Sequence, residues 1–116
     1  MSRNLESPDS DRFTEEFGAT VARDATEDVW VIDFKEVTGE DLTFSYSPTD
    51  ASVRVQLCDD QETLVDIFRE GAIQLRIESK RGNSSIVVEF NDGVTSGELI
   101  VQIFPRIKIT DRMLFR

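Results

Sequence analysis

The side chains that usually perform chemistry are scarce in this chain: among 116 residues there is no histidine and only one cysteine. A nucleophilic enzyme needs a serine, threonine or cysteine beside a base. Without histidine that base would be a lysine, a carboxylate or a terminal amine, and no spacing singles one out. Cys58 is followed by Asp59 and Asp60, the wrong charge for a reactive thiolate, so it is expected to pack and not to react. Asp59, Asp60, Glu62 and Asp66 offer the oxygen ligands that a hard cation prefers, but they lack the Asp-x-Asp-x-Asp-Gly order of a calcium loop. Gly39, Gly71, Gly82, Gly93 and Gly97 stand singly, with no phosphate-cradling loop. With 23 acids in the chain, accidental carboxylate pairs are unavoidable and point to no glycosidase. The expectation is a non-enzymatic protein with no catalytic residue, cofactor or metal.

Charge then becomes the most informative property. The net charge is −10, and it is unevenly placed: residues 1–70 hold 6 basic and 18 acidic groups, residues 71–116 hold 7 and 5. Such a field repels nucleic-acid phosphates and anionic lipid and attracts a basic protein. The competing explanation is solubility or adaptation to high salt. The candidate contact residues are the acids Asp59, Asp60, Glu62, Asp66 and Glu70, joined by Tyr46, a residue type enriched at binding hot spots.

The elements that would carry these residues follow from periodicity. Residues 1–12 hold one strong apolar side chain, Leu5, and read as a flexible leader; residues 13–116 read as a single α+β domain. Phe13, Phe17 and Val21 recur every fourth residue and predict a helix over 11–23. Trp30, Ile32 and Phe34, then Leu42, Phe44 and Tyr46, then Val53, Val55 and Leu57 alternate as strands of an antiparallel meander, with Trp30 expected in the core. Asp59 and Glu62 resemble a capping box, Leu64, Ile67 and Phe68 fall at i, i+3 and i+4, and Gly71 ends the run. This predicts a helix over 60–70 that buries Leu64, Ile67 and Phe68. Alternation resumes at Ile73, Leu75 and Ile77 and at Ile86, Val88 and Phe90. Residues 95–104 fit a strand or a helix, and the β-branched Ile100, Val101 and Ile103 favour the strand. Ile107, Ile109 and Met113 to Phe115 form the last strand. The expected fold is α+β, a largely antiparallel sheet of six to seven strands with one or two short helices packed on one face.

Two of these strands, Ile86-Val87-Val88-Glu89-Phe90-Asn91-Asp92-Gly93 and Glu98-Leu99-Ile100-Val101, flank an Asp-Gly turn. In an acidic β-rich chain of this size, the pattern resembles the small immunity proteins of bacterial polymorphic-toxin systems. The resemblance implies an inhibitor that occludes a cognate toxin by direct binding, its acidic side chains opposed to a basic active-site cleft, and it carries over no functional residue; a nuclease-type toxin is the basic partner expected. The expected partner is a basic protein, with no direct nucleic-acid or membrane contact, and the expected state is a monomer or homodimer. No apolar run spans a membrane and the N-terminus leads into charge, so a cytoplasmic location is expected. Two other functions fit the same features: a self-associating structural or accessory domain pairing at sheet edges around Leu99 to Ile109, and a phage-encoded acidic mimic of nucleic acid.

Overall fold

The computed structural model describes residues 5–91 and 93–115. Its first helix, α1 (Asp11–Phe17), is half as long as the Phe13/Phe17/Val21 spacing predicts. Gly18 takes a left-handed φ of 71° and donates its N–H to the Thr14 carbonyl, a conformation that glycine adopts without steric cost and that closes the helix. Val21 therefore belongs to a strand, β1 (Thr20–Asp24). There follow β2 (Val29–Asp33), the single-turn α2 (Lys35–Thr38), β3 (Asp41–Ser47), β4 (Ser52–Asp59), β5 (Glu62–Glu70), β6 (Ala72–Lys80), β7 (Asn83–Asn91), β8 (Thr95–Phe104) and β9 (Lys108–Phe115).

Successive strands pair antiparallel in two sheets, ordered β1-β2-β3-β4-β5 and β6-β7-β8-β9. The antiparallel expectation holds, but nine strands in two sheets replace six or seven in one. Only Gly71, at φ 81°, separates β5 from β6. The acidic residues 1–70 thus carry α1 and the five-stranded sheet, and the mildly basic remainder carries the four-stranded one. Residues 95–104 are strand, as their β-branched content favours. Because β8 pairs with both β7 and β9, the Leu99–Ile103 part of the edge expected around Leu99 to Ile109 is interior, whereas Ile109 lies on β9, the edge strand of that sheet. The tight turn expected at 91–93 does join β7 to β8; Asp92 lies outside the described residues.

The helix predicted over 60–70 is a strand. Asp60 and Gln61 both have positive φ, 47° and 73°, the backbone of a two-residue turn whose twist matches the flanking strands. Asp59 pairs with Glu62 across this hairpin, so Asp59 ends a strand and caps nothing. Along β5 exposure alternates: Val65 and Ile67 are half-buried while Leu64 and Phe68 are 55% and 53% exposed. The expected stripe of Leu64, Ile67 and Phe68 is therefore split between opposite faces.

One cluster of buried side chains joins the two sheets: Ile32, Phe34, Leu42, Phe44, Val53 and Val55 meet Leu75, Ile86, Val88, Leu99, Val101 and Ile103. Helix α1 does not lie on an outer face. Phe13 packs on Tyr46 at 5.6 Å, and Phe17 meets Phe34 edge-on at 5.5 Å and Phe104 at 6.5 Å, so one turn of helix touches both sheets. Trp30, expected in the core, is half-buried at its margin with the Arg23 guanidinium 5.3 Å from its ring centre. The leader expectation also changes. Residues 1–4 lie outside the described residues, but Leu5 is buried and donates its N–H to the Pro48 carbonyl. Glu6 bridges to β6, its N–H on the Ile73 carbonyl and its carbonyl accepting from Leu75. Residues 11 and 12 are already helical.

The burial pattern orders the cost of truncation. Phe44, with no exposure, should lose about 3–5 kcal/mol on replacement by alanine, and Phe68→Ala should lose less than about 1 kcal/mol. Gly97→Ala should weaken the β8–β9 pairing, because a Cβ there would stand 2.0 Å from the Arg112 carbonyl oxygen. Urea unfolding of the three variants checks the order; a helical 60–70 would make Phe68→Ala the costly change that the strand does not.

Candidate functional site

The acids singled out in the sequence are brought together by the β4–β5 hairpin. Asp59 and Asp60 form its tip and Glu62 begins β5, all exposed. Opposite them the connection from α2 to β3 contributes Glu40 and Asp41, and the two turns bound a groove of ≈ 550 Å³ that also takes in Lys35, Cys58 and Leu64. Four carboxylates against one ammonium make this groove a strong attractor for cations. Cys58 is half-buried beside it, its sulfur 3.9 Å from the Thr63 hydroxyl. Among the described residues no group of three or more His, Cys, Asp or Glu side chains is placed to hold a metal ion.

From this tip β5 runs along the sheet edge; a bulge at Leu64, where Thr63 pairs with Cys58 and Val65 with Leu57, interrupts its alternation, and beyond it Asp66, Phe68 and Glu70 share the outward face, exposed like Glu62 and Leu64. Asp66 differs from the others. Arg54 on β4 holds it with two parallel hydrogen bonds, Nε to Oδ1 at 2.9 Å and Nη2 to Oδ2 at 2.8 Å, the planar fork that suits a carboxylate. The contact keeps the Asp66 carboxyl below its ordinary pKa and raises that of Arg54. Asp66 is thus already neutralised within the fold. Asp59, Asp60, Glu62 and Glu70 enter no ion pair among the described residues.

The four-stranded sheet treats its acids differently. Arg76 binds Glu89 at 2.8 Å and Glu78 at 3.1 Å, and Arg112 reaches Glu98 at 3.7 Å. Glu78, Glu89 and Glu98 are matched by arginines of their own sheet, whereas Asp59, Asp60 and Glu62 at the β4–β5 hairpin tip are exposed and unpaired among the described residues.

Tyr46 does not belong to this surface. It is 2% exposed, packed between Phe13 and Phe44, and so cannot serve as the contact residue its type suggested. What the sequence missed instead is the pair Leu64 and Phe68. A strand reading would have found Phe68, since alternation through Val65 and Ile67 leaves it outside; Leu64 is exposed at the bulge, which alternation does not reveal.

No family model matches the chain, and no curated protein sequence matches it significantly. The fold nevertheless has a solved counterpart. A chain of a contact-dependent growth inhibition toxin–immunity protein complex from Klebsiella pneumoniae 342 superposes with a TM-score of 0.85 over 98% of this chain and 100% of that one, at 15% sequence identity. The two chains share a fold. The resemblance read from residues 86–93 and 98–101 thus has a counterpart at the level of the fold, in a chain from a toxin–immunity protein complex. No helix here is long and apolar enough to cross a membrane.

Burial pushes the Tyr46 hydroxyl up to about 12, assisted by the nearby charges of Asp28 and Asp9. As the chain's only tyrosine, it can be titrated by its ultraviolet absorbance. The folded protein should show no tyrosinate near pH 10. Because the folded-state value is raised, the stabilisation is fully present below pH 10 and is lost as pH rises toward 12. An ordinary midpoint near 10 in the folded protein would place Tyr46 at the surface.

Proposed function

We propose that this chain is a non-enzymatic immunity protein that neutralises a cognate toxin by direct binding, with the acidic side of the five-stranded sheet turned toward a basic region of that toxin. The observation that carries the reading is the full-length likeness to a chain of a toxin–immunity protein complex. That complex contains two kinds of protein, and the chemistry of this chain favours the inhibitor: it has no histidine and one cysteine, the latter flanked by acids, and its most accessible polar feature is a set of unpaired carboxylates. A cleft that handles a phosphodiester substrate is cationic, and an acidic surface is its electrostatic complement; a nuclease-type toxin is therefore the partner best suited to this face. The inhibitor would act in the cytoplasm, where such a toxin does its damage. The charge boundary at Gly71 supports the same assignment, because it concentrates the excess acid in one sheet.

Protection is the direct test. Cells that express the toxic domain encoded beside this chain should survive when the chain is co-expressed, and purified toxin and chain should bind; neither protection nor binding would defeat the reading. Charge then predicts kinetics. Association should slow as salt rises from 0.1 M to 1 M, since the Debye length falls from about 10 Å to about 3 Å. Reversal of Glu40, Asp59 and Glu62 to lysine should cut the association rate at least about tenfold at low salt, and reversal of Glu78, Glu89 and Glu98 should do less. Stopped-flow mixing of the two folded triple variants with the toxin separates a steering face from net charge alone, which would slow both equally.

A further inference from the structure

Carboxylates accelerate encounter, but they hold a complex poorly in water and salt. A durable complex needs apolar anchors, and the exposed edge of β5 supplies two. Leu64 and Phe68 are 55% and 53% exposed, Leu64 at the bulge and Phe68 on the outward face of the same strand, four residues and no more than about 13 Å apart at 3.3 Å per residue. Between them stands Asp66, already neutralised by the Arg54 fork. Glu70 follows Phe68 on the outward face, and Glu62 begins the strand before the bulge, across from Asp59; both are free of ion pairs among the described residues. The order along the strand is therefore free acid, apolar anchor, neutral crossbar, apolar anchor, free acid.

We infer that this exposed edge of β5 is the toxin-holding surface, and that its partner is a folded cationic protein face with apolar sockets for Leu64 and Phe68 and an arginine or lysine placed to meet Glu70. The inference rests on the inhibitor reading above and names the contact that the reading leaves open. Charge selects this occupant over the others. A second copy docked through the same edge would set one acidic sheet against its own equivalent, like charge on like charge. A membrane surface or nucleic acid would meet the same acids as repulsion. The Arg54–Asp66 fork lets the centre of this edge be covered without stranding a lone carboxylate, since its charge is cancelled before the partner arrives. Anchors and acids thus divide the work: the carboxylates set the rate of arrival, while Leu64 and Phe68 set the residence time.

The test uses the full chain and the toxic domain encoded beside it. Leu64→Ser with Phe68→Ser should raise the dissociation rate by at least about tenfold and leave association within about twofold. Leu114→Ser, an equally exposed apolar site on the other sheet at 67%, should change neither. The conservative pair Leu64→Met with Phe68→Leu should keep wild-type residence. Hydroxyl-radical footprinting of the wild-type complex supplies a readout independent of variant folding: Leu64 and Phe68 should become protected and Leu114 should stay reactive. A wild-type chain that protects cells while its Leu64 and Phe68 remain reactive in the complex, or while the double serine variant keeps its residence time, overturns the inference and leaves the inhibitor reading standing. A wild-type chain that neither binds nor protects overturns both.

Discussion

The architecture hangs on one residue that must turn left-handed. Gly71 lies between two nine-residue strands, and its φ of 81° lets the chain leave the edge of one sheet and start the edge of the next without a loop. Its carbonyl accepts from the Asn91 N–H, and the following amide, Ala72, donates to Ala51, so the corner is fixed to both sheets at once. An L-residue with a side chain is strained in that region of backbone space. Because β5 and β6 run on through this corner, the inner faces of the two sheets are brought to a common core, and a chain of modest length buries nineteen side chains in one cluster.

The same corner partitions the electrostatics. On the far side of it the outward carboxylates sit among arginines at cross-strand positions, where opposite charges pair at little entropic cost. On the near side, among the described residues, the hairpin tip enters no ion pair and Lys35 is the one cation bordering its groove. Two other pairs serve as clasps and not as surface features. Asp28 accepts from the Thr49 hydroxyl at 2.6 Å and from Arg23 at 3.1 Å, tying the β1–β2 turn to the β3–β4 turn and holding its carboxyl below its ordinary pKa. Arg69 meets Asp111 across the two sheets.

Where alternation was uninterrupted the sequence could be read directly: Leu42/Phe44/Tyr46, Val53/Val55 and Ile86/Val88/Phe90 lie in strands with those residues inward. Two segments misled for physical reasons. Phe13, Phe17 and Val21 keep a four-residue rhythm across Gly18, so the helix and the strand after it look continuous until the left-handed φ is known. In 59–70, the residues that would cap a helix also suit a tight hairpin, since aspartate tolerates positive φ better than most residues. Leu64, Ile67 and Phe68 satisfy helical spacing, yet strand alternation places Ile67 and Phe68 on opposite faces and Leu64 stands at the bulge. The acid cluster was therefore found by composition and its apolar companions were not, because their exposure depends on which element they occupy. Tyr46 went the other way: its type suggested a contact, and its place in the alternation of β3 put it inside.

Helix α1 has a consequence for the order in which the molecule can be completed during synthesis. Phe17 is made early, yet one of its two aromatic neighbours, Phe104, is near the end of the chain, and the amide of Glu6 waits for Ile73 of β6. A nascent chain on the ribosome can close the β2–β3–β4 meander from neighbours alone, but α1 keeps an unsatisfied aromatic face until β8 has emerged. The finished core, and with it the firm seating of the five-stranded sheet, thus arrives with the last strands to leave the exit tunnel.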